Sequence, residues 1–169
     1  MGAVLQRIRQ AGAAEIAAAI LALALISILG AWTFEAFGYL PCELCLKQRI
    51  PYYAGFPLAA LTLWLARRPG PHPALPAAFL GLAMIFYASL ALGVYHSGVE
   101  WGLWPGPAGC TGQMQTAANP AEFLKQLQTA RVVRCDEPAF RIFGLSMAGM
   151  NAIVSFVVAA LAVAGSRRV

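Results

Sequence analysis

Charge is what this sequence has least of. Only 11% of its 169 residues are Asp, Glu, Lys or Arg, and 60% are hydrophobic, whereas a soluble domain carries about a quarter charged residues. Mean hydropathy is +0.67. That shortage excludes an ordinary soluble domain and leaves a membrane protein, long enough for about four spans and one sizeable loop. Acidic residues are scarcer than basic ones, 7 against 12, for a net charge of +5. Such a balance would suit nucleic acid, but the arginines stand in pairs at the ends of apolar runs, as topology signals do, and no nucleic-acid partner is expected. Histidine occurs twice: His72 lies in a basic turn and reads as a surface residue, and His96 closes an apolar run. Of four cysteines only Cys42 and Cys45 are close-spaced. A four-cysteine zinc site wants two close pairs, so redox chemistry is the better reading and no metal is expected.

The apolar runs set out an all-α membrane protein. A four-transmembrane-helix bundle is expected, as one domain over residues 1–169, with spans at about 11–32, 44–66, 74–95 and 142–165. The first run is longer than the apolar region of about 7–15 residues that marks a signal peptide, so it reads as a retained span. In the second, Pro51 is near the helix start, and Pro57 is deep enough to kink the helix or need support from neighbours. Residues 67–73, rich in Arg and Pro, form a turn that no helix crosses. Loops of about 33–43 and 96–141 lie on the other side. In the longer one, Asn119-Pro120-Ala121-Glu122 reads as a helix start, followed by Phe123, Leu124 and Leu127 as an apolar stripe on a short amphipathic helix.

Both termini then share a side with the 67–73 turn. That side holds Arg7, Arg9, Arg67, Arg68, Arg167 and Arg168; the other holds Lys47, Arg49, Lys125, Arg131, Arg134 and Arg141. The counts tie, but the first set is packed into short tails and a turn, where the positive-inside rule has most force. The termini are expected to be cytoplasmic and all four cysteines to face the oxidising side, in a bacterium the periplasm.

The stretch Cys42-Glu43-Leu44-Cys45-Leu46-Lys47-Gln48-Arg49 is where the chemistry concentrates. A Cys-x-x-Cys at a helix start places sulfur near unpaired N–H groups and the positive end of the dipole. Arg49 follows Cys45 by one helical turn, on the same face. Glu43 would raise the thiol pKa values by like-charge repulsion, and Lys47 and Arg49 would oppose it. Cys110 and Cys135 read most simply as a structural disulfide. They also suit a relay, in which one disulfide oxidises another by thiolate attack. His96 reads either as an ordinary interfacial histidine or as a hydrogen-bond partner to an acceptor near Cys45.

With these residues in place, the chain resembles the DsbB family of disulfide-bond formation proteins. Pro41 to Arg49, the passage from Tyr95-His96 through Pro105 and Pro107 to Cys110, and Phe143 to Ala148 carry the resemblance. It implies a bacterial inner-membrane thiol:quinone oxidoreductase that reoxidises a periplasmic DsbA-like dithiol oxidase. The redox disulfides would be Cys42–Cys45 and Cys110–Cys135. Cys110 would form the mixed disulfide with the partner, Cys135 would exchange with Cys42, and Cys45 would stand as thiolate beside ubiquinone or menaquinone. Arg49 would stabilise that pair, with His96 as the candidate quinone contact. DsbA is a strong oxidant, at about −120 mV, so reoxidising it needs a strong electron acceptor. Two other readings compete: a vitamin K epoxide reductase-type quinone enzyme, whose Cys-x-x-Cys usually lies later in the bundle, and a disulfide-stapled scaffold without activity. The scaffold leaves Arg49 unexplained at the membrane edge, where an idle charge is costly.

Overall fold

Long runs of Ala, Leu, Ile and Val with few breakers form helices. The computed structural model describes residues 12–107, 110, 119–120 and 133–169. Four long helices account for most of these: α1 (Ala13–Ala36), α2 (Glu43–Ala66), α3 (Ala74–Glu100) and α4 (Met147–Ser166). Three of them, α1, α3 and α4, are long and apolar enough to cross a membrane. α2 is as long as α1 but falls short in apolarity, because Glu43, Lys47, Gln48, Arg49, Pro51 and two tyrosines share its first half. It nevertheless continues through Pro51 and Pro57.

Each helix packs on the next, and α4 returns to α1, closing a bundle in which α3 on α4 is the most extensive contact. Ile16, Ile20, Phe79, Leu82, Phe86 and Val158 fill the centre, with Ala17, Ala24, Ala59, Ala159 and Ala162 letting the backbones approach. Large apolar side chains such as Leu61, Trp64, Met84 and Phe156 face outward instead. Ser27, Thr33 and Thr62 return their hydroxyls to carbonyls one turn back, which hides them within apolar helices.

Three boundaries differ from the sequence reading. α1 runs on to Ala36 rather than ending near Trp32, taking in the first residues of the expected 33–43 loop. α3 runs on through His96 to Glu100 rather than stopping near Tyr95, and ends where Gly102 turns the chain at φ +68°. Nothing between Tyr95 and Trp101 breaks a helix except Gly98, and a Cβ there would collide with the Trp104 ring. The last helix starts at Met147, not Ile142. Residues 141–146 form a hairpin, with Arg141–Ile142 (β1) paired antiparallel to Leu145–Ser146 (β2). Phe143 and Gly144, at φ 51° and 83°, make its two-residue turn. Ser146 then caps α4, its Oγ accepting from Gly149 N–H at 3.2 Å. The expected amphipathic helix after Asn119-Pro120 lies outside the described residues.

Candidate active site

Cys42 occupies the N-cap of α2 in extended conformation, and its Sγ accepts from the Cys45 N–H at 3.2 Å. A sulfur thus performs the capping that Ser or Asp usually provides, and the cap geometry brings the second cysteine to the first. The two sulfurs lie 2.8 Å apart. Because α3 continues past Tyr95, His96 is carried into the same place, with Nε2 at 3.7 Å from Cys42 Sγ.

From His96 a chain of polar contacts runs into the bundle. Gln48 Nε2 lies 2.7 Å from His96 Nδ1. Asn151 Nδ2 donates to Gln48 Oε1 at 2.7 Å, and Tyr52 OH donates to Asn151 Oδ1 at 2.6 Å. Ser155 continues the chain by donating to Ser89 at 2.8 Å. With the amides in this orientation Nδ1 accepts and Nε2 carries the ring proton towards Cys42. An amide holds a donor and an acceptor, so a rotated Gln48 would hold the other tautomer equally well. Gln48→Leu would strand His96 Nδ1 and the Asn151 amide in the interior. It is expected to cost about 1–3 kcal/mol, read as a lower unfolding midpoint in detergent, with Gln48→Glu losing less.

The charged neighbours of the cysteines are paired elsewhere. Glu43 bonds Lys47 at 2.7 Å, and Arg49 Nη1 bonds Glu35 of α1 at 2.6 Å, with Nη2 at 3.4 Å from the Ala31 carbonyl. Arg49 therefore shares the cavity wall with Cys45 while its charge is met by Glu35. The opposition between Glu43 and the two cations is settled by these pairings. What acts on Cys42 is local. The Cys45 thiol hydrogen bond, opposed by burial and aided by His96 and the Cys45 N–H, lowers its pKa from 9.0 to about 4.

A folded-state pKa below the unfolded one stabilises the fold fully above the unfolded value, and that contribution is lost as pH falls through the folded one. For Cys42 the window runs from about pH 9 down to about pH 4. In the reduced chain, alkylation of Cys42 by iodoacetamide is expected to stay near its plateau from pH 9 to pH 5, where an ordinary thiol would slow about tenfold per unit. A rate that falls tenfold per unit from pH 8 would contradict this.

Cys110 and Cys135 are disulfide-bonded. They are buried in one cluster with Cys42, Leu44 and Val99, against which Cys45 and Val133 pack. All four cysteines of the sequence reading are therefore brought together, and His96 with them. Beside them opens a cavity of about 280 Å³, walled mainly by Ile26, Ile28, Ala31, Phe34, Met147, Met150 and Val154. Cys42, Cys45, Gln48, Arg49, His96 and Glu100 also line it.

Three of these residues were not singled out by sequence reasoning. Gln48 and Asn151 meet across 103 positions, which no local pattern announces. Glu100 is different: it follows His96 by four residues, the spacing of neighbours on a helix face. Its Oε1 lies 3.8 Å from His96 Nε2, with both side chains 3% exposed.

Comparison with known proteins places the chain in a family. The family model described as disulfide bond formation protein DsbB matches residues 13–165. A Rickettsia prowazekii (strain Madrid E) chain, the uncharacterized protein RP370, is 25% identical over 139 residues, covering 80% of this chain and 77% of that one. No solved structure matches.

Proposed function

The chain belongs to the DsbB family of disulfide bond formation proteins, and from that premise we propose that it carries electrons from a periplasmic DsbA-like dithiol oxidase to a membrane quinone. It is a multi-pass membrane protein with the oxidoreductase character of its family. In the proposed reading α2 is a fourth span, residues 1–169 form one domain, the termini are cytoplasmic, and the cysteines face the periplasm of a bacterial inner membrane. The observation that carries it is the packing of both cysteine pairs in one cluster, with Cys42 and Cys45 on the wall of a largely apolar cavity.

The partner's thiolate would attack Cys110 Sγ, and Cys135 would leave as thiolate. Cys135 would then attack Cys42 of an oxidised Cys42–Cys45 pair, releasing Cys45 as thiolate at the cavity. The partner's second thiol would release Cys110, which would attack Cys135, re-form the Cys110–Cys135 disulfide and release Cys42, leaving both electrons on the Cys42 and Cys45 sulfurs. Each step makes one S–S bond and breaks one, so the pair of electrons moves inward with no net bond change until it leaves the cysteines. The shared cluster packs the two pairs together, and its burial would exclude competing thiols.

The cavity suits a quinone by its donor set: apolar walls for the ring and tail, with sulfur, guanidinium and imidazole among the polar lining groups. Cys45, Arg49 and His96 would hold the group, which supplies a two-electron sink when bound. Arg49 would favour negative charge at the cavity wall. His96, tied to Gln48, holds a proton at Nε2 within reach of Cys42. The test is the purified chain in detergent with a reduced DsbA-like partner and a soluble quinone, followed by quinone absorbance. Catalytic bleaching supports the reading. A quinone that stays oxidised while the partner stays reduced rejects it and favours the stapled scaffold.

A further inference from the structure

The Cys-x-x-Cys site has a second chemical capacity besides disulfide exchange. The ligating atoms of Cys42, Cys45 and His96 all lie within 4.8 Å of one another. In a tetrahedral zinc site, bonds of about 2.3 Å to sulfur and about 2.0–2.1 Å to nitrogen put sulfur and nitrogen roughly 3.5 Å apart. Cys42 Sγ and His96 Nε2 are 3.7 Å apart. The two sulfurs, at 2.8 Å, would open by roughly 1 Å to span one ion, and the half-buried Cys45 faces the cavity, where a side-chain rotation has room.

The independent sign of a missing ligand is Glu100. Its side chain is only 3% exposed, Oε1 stands 3.8 Å from His96 Nε2, and Oε2 is buried with no hydrogen-bond partner among the described residues. A buried carboxylate oxygen left without a partner is costly. Glu100 stands outside that 4.8 Å group, beside His96; a cation held by the two sulfurs and the imidazole would draw its carboxylate inward and remove that cost. Around the site the supporting contacts are also present: Gln48, with its amide turned so that Oε1 accepts from Nδ1–H, would orient His96 as metal-bound histidines are usually oriented.

We propose that the reduced chain binds one divalent cation of zinc-like chemistry through Cys42 Sγ, Cys45 Sγ and His96 Nε2, with the Glu100 carboxylate as fourth ligand. Binding displaces to solvent the one thiol proton that the pair still holds near neutral pH, Cys42 being already a thiolate, and moves no electrons. Oxidation to the Cys42–Cys45 disulfide removes both thiolates and with them the site. The cation and the disulfide are therefore mutually exclusive, and the bound ion holds the pair reduced. Ion binding needs the reduced pair with His96 and Glu100 and no quinone, so it stands apart from the quinone reading; its inhibitory meaning rests on that reading.

Cobalt(II) is the probe, because thiolate ligation and four-coordination have distinct absorption bands. The full chain with Cys110→Ser and Cys135→Ser, which leaves only the two thiols in question, is reduced in detergent and titrated. One cobalt per chain with thiolate charge-transfer and tetrahedral bands is expected. The bands should vanish on oxidation to the disulfide, and His96→Ala and Glu100→Gln should each weaken binding by about tenfold or more. The wild type titrated reduced and then oxidised is the control, since both forms are one folded chain. No tetrahedral spectrum in either reduced protein overturns the proposal, as does equal binding by the oxidised chain. Affinity unchanged by both His96→Ala and Glu100→Gln also overturns it, since the dithiol would then be chelating alone. Failure of the quinone reading would appear separately, as absent bleaching in metal-free protein.

Discussion

Cys45→Ser is expected to lower quinone reduction by at least ~10³-fold, to the level of protein-free controls. The Cys45 sulfur stands 2.8 Å from Cys42 and lines the cavity. A serine there keeps the shape but cannot form the disulfide, and a hydroxyl is a far weaker nucleophile than a thiolate at neutral pH. Cys42 would keep its N-cap bond, so the chain should fold and extract as the wild type does. Cys110→Ser should separate the two halves of the relay. Turnover with the protein partner should fall as steeply, while a small dithiol able to reach Cys42–Cys45 directly should still bleach quinone. If Cys45→Ser keeps a tenth of wild-type turnover, electrons leave by another route and the relay is wrong.

The second large effect is on assembly. An added Cβ at Gly93 would stand 3.0 Å from the Ala152 nitrogen and 3.1 Å from its Cα and Cβ. These are mostly backbone atoms, which cannot swing aside as a side-chain tip can. Gly93→Leu must therefore push α3 away from α4, at the most extensive contact of the bundle. Overpacking of this kind costs about 1–3 kcal/mol and sometimes more, and the upper end is expected here. Ala152 follows Asn151, the residue that holds Gln48, and Ser155 bonds Ser89 across the same contact. The substitution should thus lower the folded yield and the unfolding midpoint together, and disturb His96 from a distance. Gly93→Ala should do the same to a lesser degree. A Gly93→Leu chain that melts within a degree of wild type would show that the contact is not as close as drawn.

Much of this was legible in the sequence because it is local. Apolar runs, paired arginines and a Cys-x-x-Cys at a helix start each act over a few residues, and they located four helices and the reactive stretch. The helix limits were less legible. Tyr95 to Glu100 has no strong breaker, so where α3 stops depends on how Gly98 meets Trp104. At residues 141–146 the apolar side chains continue, but Phe143 and Gly144 turn the backbone and Ser146 restarts the helix. Arg49 was legible as a charge needing a partner, yet its partner came from α1, fourteen residues back, rather than from the sulfur one turn away. Glu100 could have been found from its spacing to His96 once α3 was known to reach it. Gln48 and Asn151 could not, because their meeting is a product of the tertiary fold.

The modest apolarity of α2 bears on how the protein is made. A segment leaving the ribosome is sorted into the bilayer largely by its own transfer free energy, and charged residues near a helix centre count heavily against it. α1 and α3 meet that demand unaided, and α2 does not. In α2, Glu43 pairs with Lys47 and Thr62 with its own helix, but the other polar side chains near the site are satisfied by neighbours: Arg49 by Glu35, Gln48 by His96 and Asn151, Tyr52 by Asn151. If α2 spans, it enters lipid in company, leaning on α1 already inserted and on α3 close behind across the 67–73 turn. Biogenesis would then proceed by pairs of helices, and the residues that make the site reactive would be those that delay its insertion.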